Sequence, residues 1–440
     1  MVCESIQSKR SIRSGSVIRS PEFLKRVGLL VFVLLATGAC NTQLTVRRHQ
    51  NVAITDAAAD QILTDFSQVI WGADSAQDFA CTTDFQPFFP NDPTLLPALY
   101  TRWGAVGTYA ETATINSEAD ADAVLAAPGF VKVVGAINWC GQTLPNLIGC
   151  APNGGNSMIV VRRINNEGQL WAHEYGHTGG LNHRNGASFV MNPTILSTTT
   201  EINASECVAM VSRAINNPLN QNANAGPPGP ASGGTAVGNG KVLYDGDLRA
   251  DIDENIDVVS FVRQVYVHGT PMGFATRFDR SPRIPQLLAM LRNSREQQSW
   301  GNIVAVLGMI GDRRVAGPLM DFVSQHNTRG KDWEDVRVLT SAMMGLGYLA
   351  NHTGDRDVLA FLDRARSAQF WADAALAEEL AFSASIGLAL SGTSQGRQSL
   401  LEAYRYEISR RNGAVAENLL GYLELNDEIA REGLRAYYAD

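Results

Sequence analysis

This chain is poor in basic charge, in cysteine and in histidine, and each shortage narrows the field. Lysine and arginine number 36 against 44 aspartates and glutamates, a net charge of −8. A protein built around nucleic acid needs basic patches, so no nucleic-acid partner is expected. Residues 1–39 hold six of the basic groups and two of the acidic ones, so the remainder carries 30 and 42, a net −12. Six cysteines, none in CxxC spacing, argue against a cysteine-ligated zinc site. The apolar run 27–39 has 13 residues, short of the roughly 20 that span a bilayer. Apolar side chains are not short: at 45% of 440 residues they suffice for a core and exclude a disordered or fibrous chain. The length suits two or three domains.

The amino terminus reads as an address. Lys25-Arg26 precedes the short apolar run, and small residues follow it, the pattern of a secretory signal over 1–39. Its end, Leu35-Ala36-Thr37-Gly38-Ala39-Cys40, resembles a bacterial lipoprotein signal, with Thr37 where an aliphatic residue is usual. The resemblance implies cleavage before Cys40 and lipidation of Cys40. That would give a peripheral anchor on a membrane of the bacterial cell envelope, with a secreted or periplasmic soluble protein as the alternative. Beyond Cys3 and Cys40 remain Cys81, Cys140, Cys150 and Cys207, an even set that suggests two disulfides in an exported chain. Cys140–Cys150 would close a short loop, leaving Cys81–Cys207.

Residues 221–240, QNANAGPPGPASGGTAVGNG, hold no charge and read as a Gly/Pro-rich linker. Before it, over 41–220, strands and helices mix. Residues 45–55, 106–115, 130–138 and 157–163 look extended. Residues 56–71 look helical, with Thr55 as N-cap and Ile62, Phe66, Val69 and Ile70 on one face, as do 117–127 and a segment starting near Gly168. After the linker, 241–280 is a connecting segment whose stretch VVSFVRQVYV looks extended. Its aspartates, Asp245, Asp247, Asp251, Asp253 and Asp257, lack the Gly and Glu of an EF-hand loop and read as a solvated acidic face. From 281 to 440 the pattern is helical and repeats, with Gly308, Gly347, Gly387 and Gly421 in register at spacings of 39, 40 and 34. This resembles HEAT-like helical repeats, which implies stacked helix pairs presenting a surface for a protein partner.

Three of only seven histidines fall within eleven residues, His173-Glu174-x-x-His177-x-x-Gly180-x-x-His183. A chance match to these five positions has a probability on the order of 10⁻⁵. Four residues apart on a helix, His173 and His177 share a face. Glu174 sits beside a metal rather than on it. Gly180 allows a left-handed helix stop, so the chain can return with His183. Three protein ligands leave a fourth position for water, the pattern of a catalytic Zn2+ rather than a structural one.

The motif resembles that of the metzincin metallopeptidases. Met191, in Phe-Val-Met-Asn-Pro eight residues past His183, fits the Met-turn of that family, and Leu181 and the Met-x-Pro turn are most like the matrixins. Arg184 replaces the Ser common after the third matrixin ligand, and no Tyr follows Met191 by two. The resemblance implies an α/β domain of mixed sheet plus active-site helix. It implies one catalytic zinc, Glu174 as general base, and hydrolysis of peptide or protein substrates. It further makes residues 157–163 the edge strand that pairs with substrate, and 201–216 the closing helix, tethered by Cys207. The alternative is an envelope protein whose repeats bind a partner and whose zinc site is not catalytic.

Overall fold

The computed structural model describes residues 42–71, 100–186, 188–216, 252–278 and 282–438. The leader, Cys40, Cys81, the 221–240 linker, Asp245, Asp247 and Asp251 lie outside the described residues.

The first part is a mixed sheet with helices. β1 (Thr42–Leu44) pairs in parallel with β3 (Tyr100–Arg102). β2 (Val46–His49) sits between β4 (Gly107–Tyr109) and β6 (Val131–Val134), parallel to both. β10 (Met158–Val161) continues the sheet in parallel beside β6, and β9 (Gly149–Cys150) closes it antiparallel. The sheet order is therefore β4-β2-β6-β10-β9. β6 and β10 are VKVV and MIVV, buried at every position, as central parallel strands covered on both faces must be. A smaller sheet joins β5 (Thr114–Ile115), β7 (Ala136–Trp139) and β8 (Thr143–Leu147).

Residues 157–163 are thus not the edge strand: β10 is interior, and β9 is the edge of this sheet. The continuous apolar run of β10 signals burial on both faces, and the pairing with β6 on one side and β9 on the other places it inside. α1 (Asp56–Trp71) is capped as expected, Thr55 Oγ1 accepting from the Ala58 amide at 3.1 Å. It packs against α3 (Glu167–Thr178), where Gly168 lets the two backbones meet: a methyl there would overlap the backbone and Cβ of Asp65. α2 spans Glu118–Ala126 and α4 Ala204–Asn216. Asn203 and Glu206 start α4 with a reciprocal box, each side chain accepting from the other's amide at 2.9 and 2.7 Å.

The stretch VVSFVRQVYV is also not one extended run. Residues Val258–Arg263 form α5, because Asp257 accepts from the Val259 and Ser260 amides as N-cap and buries Val258, Val259, Phe261 and Val262 in the core. Local capping and packing override β-propensity here.

The C-terminal part is mostly helical: α6 (Ile284–Leu291), α7 (Trp300–Ile310), α8 (Arg313–His326), α9 (Trp333–Thr353), α10 (Arg356–Ala365), α11 (Ala377–Leu390), α12 (Ser394–Ser409) and α13 (Gly413–Glu432). Three hairpins share one device: a turn Gly311-Asp312, Gly354-Asp355 or Gly392-Thr393 whose polar residue caps the second helix. The aligned glycines mark helix crossings. A methyl on Gly308 would strike the backbone of Gly345, and one on Gly347 the backbone of Gly387, so α9 lies close between α7 and α11. Gly421 meets nothing and does not share this role. Among the described residues no helix is long and apolar enough to cross a membrane.

The described part of the connecting segment, residues 252–278, packs into one continuous core with the residues before and after it. Arg337 of α9, buried, donates to Gly135 O at 3.1 Å and Arg162 O at 3.2 Å. Trp333 donates to Asn51 O at 3.0 Å, and Thr114 to Glu379 at 2.9 Å.

Candidate metal centre

α3 carries the centre. Arg162 locks its first turn by pairing with Glu167 at 2.7 Å. His173, Glu174 and His177 are fully buried on this helix. The helix ends at Gly179, and Gly180 takes the left-handed conformation at φ +85°. The amides of Gly180 and Leu181 close the turn on His177 O and Gly176 O at 2.8 and 3.1 Å. The chain then returns with His183, and the Arg184 amide bonds Met191 O at 2.9 Å.

Met191 lies beneath the helix. A methyl on Gly176, between the two helical histidines, would overlap Met191 Sδ and press on Met210 Cε, so the glycine admits Met191 beneath the helix. Arg184 ties the turn to α4. Its guanidinium lies 3.4 Å from the centre of the Phe189 ring and pairs with buried Glu206 at 2.7 Å.

The structure brings His173, His177 and His183 together, and it adds a fourth that the motif does not name. His268 joins them, and one ligand atom from each of the four lies within 4.8 Å of every other. His173 Nε2 stands 3.0 Å from His177 Nε2 and 3.0 Å from His268 Nε2. His268 follows His183 by 85 residues, beyond the reach of a spacing motif. Nothing in the sequence singles it out beyond its being one of seven histidines.

The donor set fits a cation. His173 Nδ1 is 2.7 Å from Val190 O, and His177 Nδ1 is 2.8 Å from Leu181 O. A carbonyl only accepts, so each Nδ1 carries the proton and each Nε2 presents a lone pair. Lone pairs facing at 3.0 Å repel unless a positive charge sits between them. Ligand nitrogens in a tetrahedral site with bonds of about 2.0–2.1 Å lie about 3.3 Å apart. Burial first, then the neighbouring His268 and His183, pushes His173 well below the ordinary histidine range, and burial does the same for His268. Both rings are held neutral, the form that ligates metal.

The Glu174 carboxylate lies against β9. A methyl on Gly149 would overlap Glu174 Oε1, so only glycine lets the strand pass that close to the carboxylate. Cys140–Cys150 forms as expected and pins this strand to the loop after β7. Cys207 is disulfide-bonded, with its partner outside the described residues. Comparison with family models, with curated proteins and with solved structures found no match to this chain.

Proposed function

We propose that this chain is a zinc-dependent endopeptidase, anchored to a bacterial envelope through a lipid on Cys40. The carrying observation is that α3 aims the Nε2 lone pairs of His173 and His177 at one point, with buried Glu174 between them in sequence and the edge strand β9 alongside. The resemblance of residues 173–191 to the metzincin motif and Met-turn supports the reading.

Bound zinc would supply Lewis acidity to a water and to a scissile carbonyl. The chain's own residues do the rest. Val190 O and Leu181 O fix the ligand rings in one tautomer and one orientation. Glu174 takes a proton at its carboxylate and hands it to the leaving amine. The backbone of β9 and the preceding residues offers ladder groups to an extended peptide, a general mode of recognition. The C-terminal hairpins, HEAT-like in pattern, would present the surface for a protein partner.

A second reading has its own observation. Four imidazoles would supply all four ligands of a tetrahedral ion, which is the mark of a closed, non-catalytic site. Incubating the full chain with a mixed peptide library, with and without a chelator and beside Glu174→Gln, separates the two. Chelator-sensitive cleavage lost in the variant supports the peptidase; no cleavage by the wild type or by His268→Ala, which frees the fourth ligand position, refutes it.

A further inference from the structure

The stretch Val265–Thr270 is seated as a peptide between two pieces of the first part. On one side, the amides of Ile148 and Gly149 donate to Val267 O at 2.9 and 3.3 Å, and the Thr270 amide donates to Pro145 O at 2.9 Å. On the other, the Val267 amide donates to Pro193 O and the Ile195 amide to Val265 O, both at 2.9 Å. The pairing is antiparallel on both sides, through Leu147 with His268 and Thr194 with Tyr266. One flank leads into the edge strand beside Glu174, and the other is the run just past Met191. An extended substrate would need these same ladder groups.

We infer that residues 265–270 are a built-in occupant of the peptide groove, and that His268 closes the metal site and keeps the chain latent. The inference rests on the peptidase reading above. Its geometry is specific. The segment is held by its backbone on both sides, as a bound peptide is, and it delivers an imidazole to the cluster, where a substrate would deliver its scissile carbonyl. Val267 is fully buried and Tyr266 nearly so, with Tyr266 Oη donating to Phe261 O at 3.0 Å. Gly269, at φ +82°, turns the chain out against Pro145 O, where any side chain would clash.

Asn302 of the helical part grips the plug. Asn302 of α7, buried, donates to Val262 O at 3.1 Å and Gln264 O at 2.8 Å. Its Oδ1 accepts from Thr270 at 2.7 Å and from Asn146 at 2.8 Å. Asn302 therefore grips the segment before and after His268 and ties it to the loop that lines the groove. Opening the site requires moving this segment relative to both parts of the molecule.

The test uses the full chain loaded with Co2+, whose visible spectrum reports the ligand shell, and sodium azide as a small probe ligand. Azide should leave the wild-type spectrum unchanged and shift that of His268→Ala, and added imidazole should return the variant to the wild-type spectrum. Val267→Pro keeps all four histidines but removes the amide that bonds Pro193, and should admit azide as well. A wild-type chain that takes azide as readily as His268→Ala overturns the inference, and so does a Val267→Pro chain as closed as the wild type. On peptides, His268→Ala should cleave at least about tenfold faster than the wild type. If the variant opens to azide but cleaves no peptide, the closed site stands and the peptidase reading falls.

Discussion

His173 Nε2 and His268 Nε2 lie 3.0 Å apart, although 95 residues separate them along the chain. With His173 Nδ1 committed to Val190 O, its Nε2 meets the fourth ring as a lone pair. The contact is stable when a shared cation sits between the rings, and it is the point where the segment 265–270 meets the site on α3.

Replacing Glu174 by Gln removes the proton acceptor and keeps the shape. Peptide hydrolysis, measured on a form with the plug released, should fall by about 10²–10⁴-fold, with metal content unchanged by elemental analysis. Equal hydrolysis in that variant would remove Glu174 from its role.

Metal should stabilise the fold, because neutral imidazoles are gathered around it only in the folded chain. At a free metal concentration a hundred times the dissociation constant, the gain is about 2.7 kcal/mol. A chelator should therefore lower the thermal midpoint. His183→Ala should melt near the chelated value even with metal present, and unchanged metal content in His183→Ala would exclude it as a ligand.

Gly149→Ala places a methyl on Glu174 Oε1. The carboxylate must turn away from β9. Hydrolysis should drop while the Co2+ spectrum stays that of the wild type, which separates displacement of the base from loss of the metal.

Lys132 gives a pH signature. It lies buried on β6, donating to Ala127 O at 2.5 Å and Leu125 O at 3.3 Å, and burial above all pushes it down to about 7. Between about pH 7 and 10 the unfolded chain holds this proton and the folded chain does not, so unfolding free energy should rise with pH, by up to about 1.4 kcal/mol per unit. Below pH 7 both states are charged and this slope vanishes. Lys132→Met should lose the slope, which denaturant melts at pH 6, 8 and 9.5 would read.

Arg184→Ala leaves Glu206 buried without its cation, though Asn203 still caps it. A loss of about 2 kcal/mol is expected. Because Arg184 also rests on Phe189 beside Met191, weaker metal binding should accompany the loss. A fluorescent chelator competition measures it.

The sequence by itself determined the parts governed by local chemistry. Helical spacing put His173 and His177 on one face, and the left-handed tolerance of Gly180 set the turn to His183. Thr55, Ser117 and Asp355 capped their helices through their own side chains, and the ten-residue separation of Cys140 and Cys150 made their pairing legible. Only the tertiary structure decided what depends on contacts far apart in the chain. A run such as residues 158–161 looks the same at an edge or in the middle of a sheet, and neighbours from β6 and β9 placed it inside. VVSFVRQVYV carried β-propensity, yet Asp257 and the packing of α5 against α7 made its first half a helix. His268 was silent because no spacing rule reaches across 85 residues and a linker. Its place in the imidazole cluster is fixed by backbone pairing with residues 145–149 and 193–195 and by the grip of Asn302, which exist only once the chain has folded.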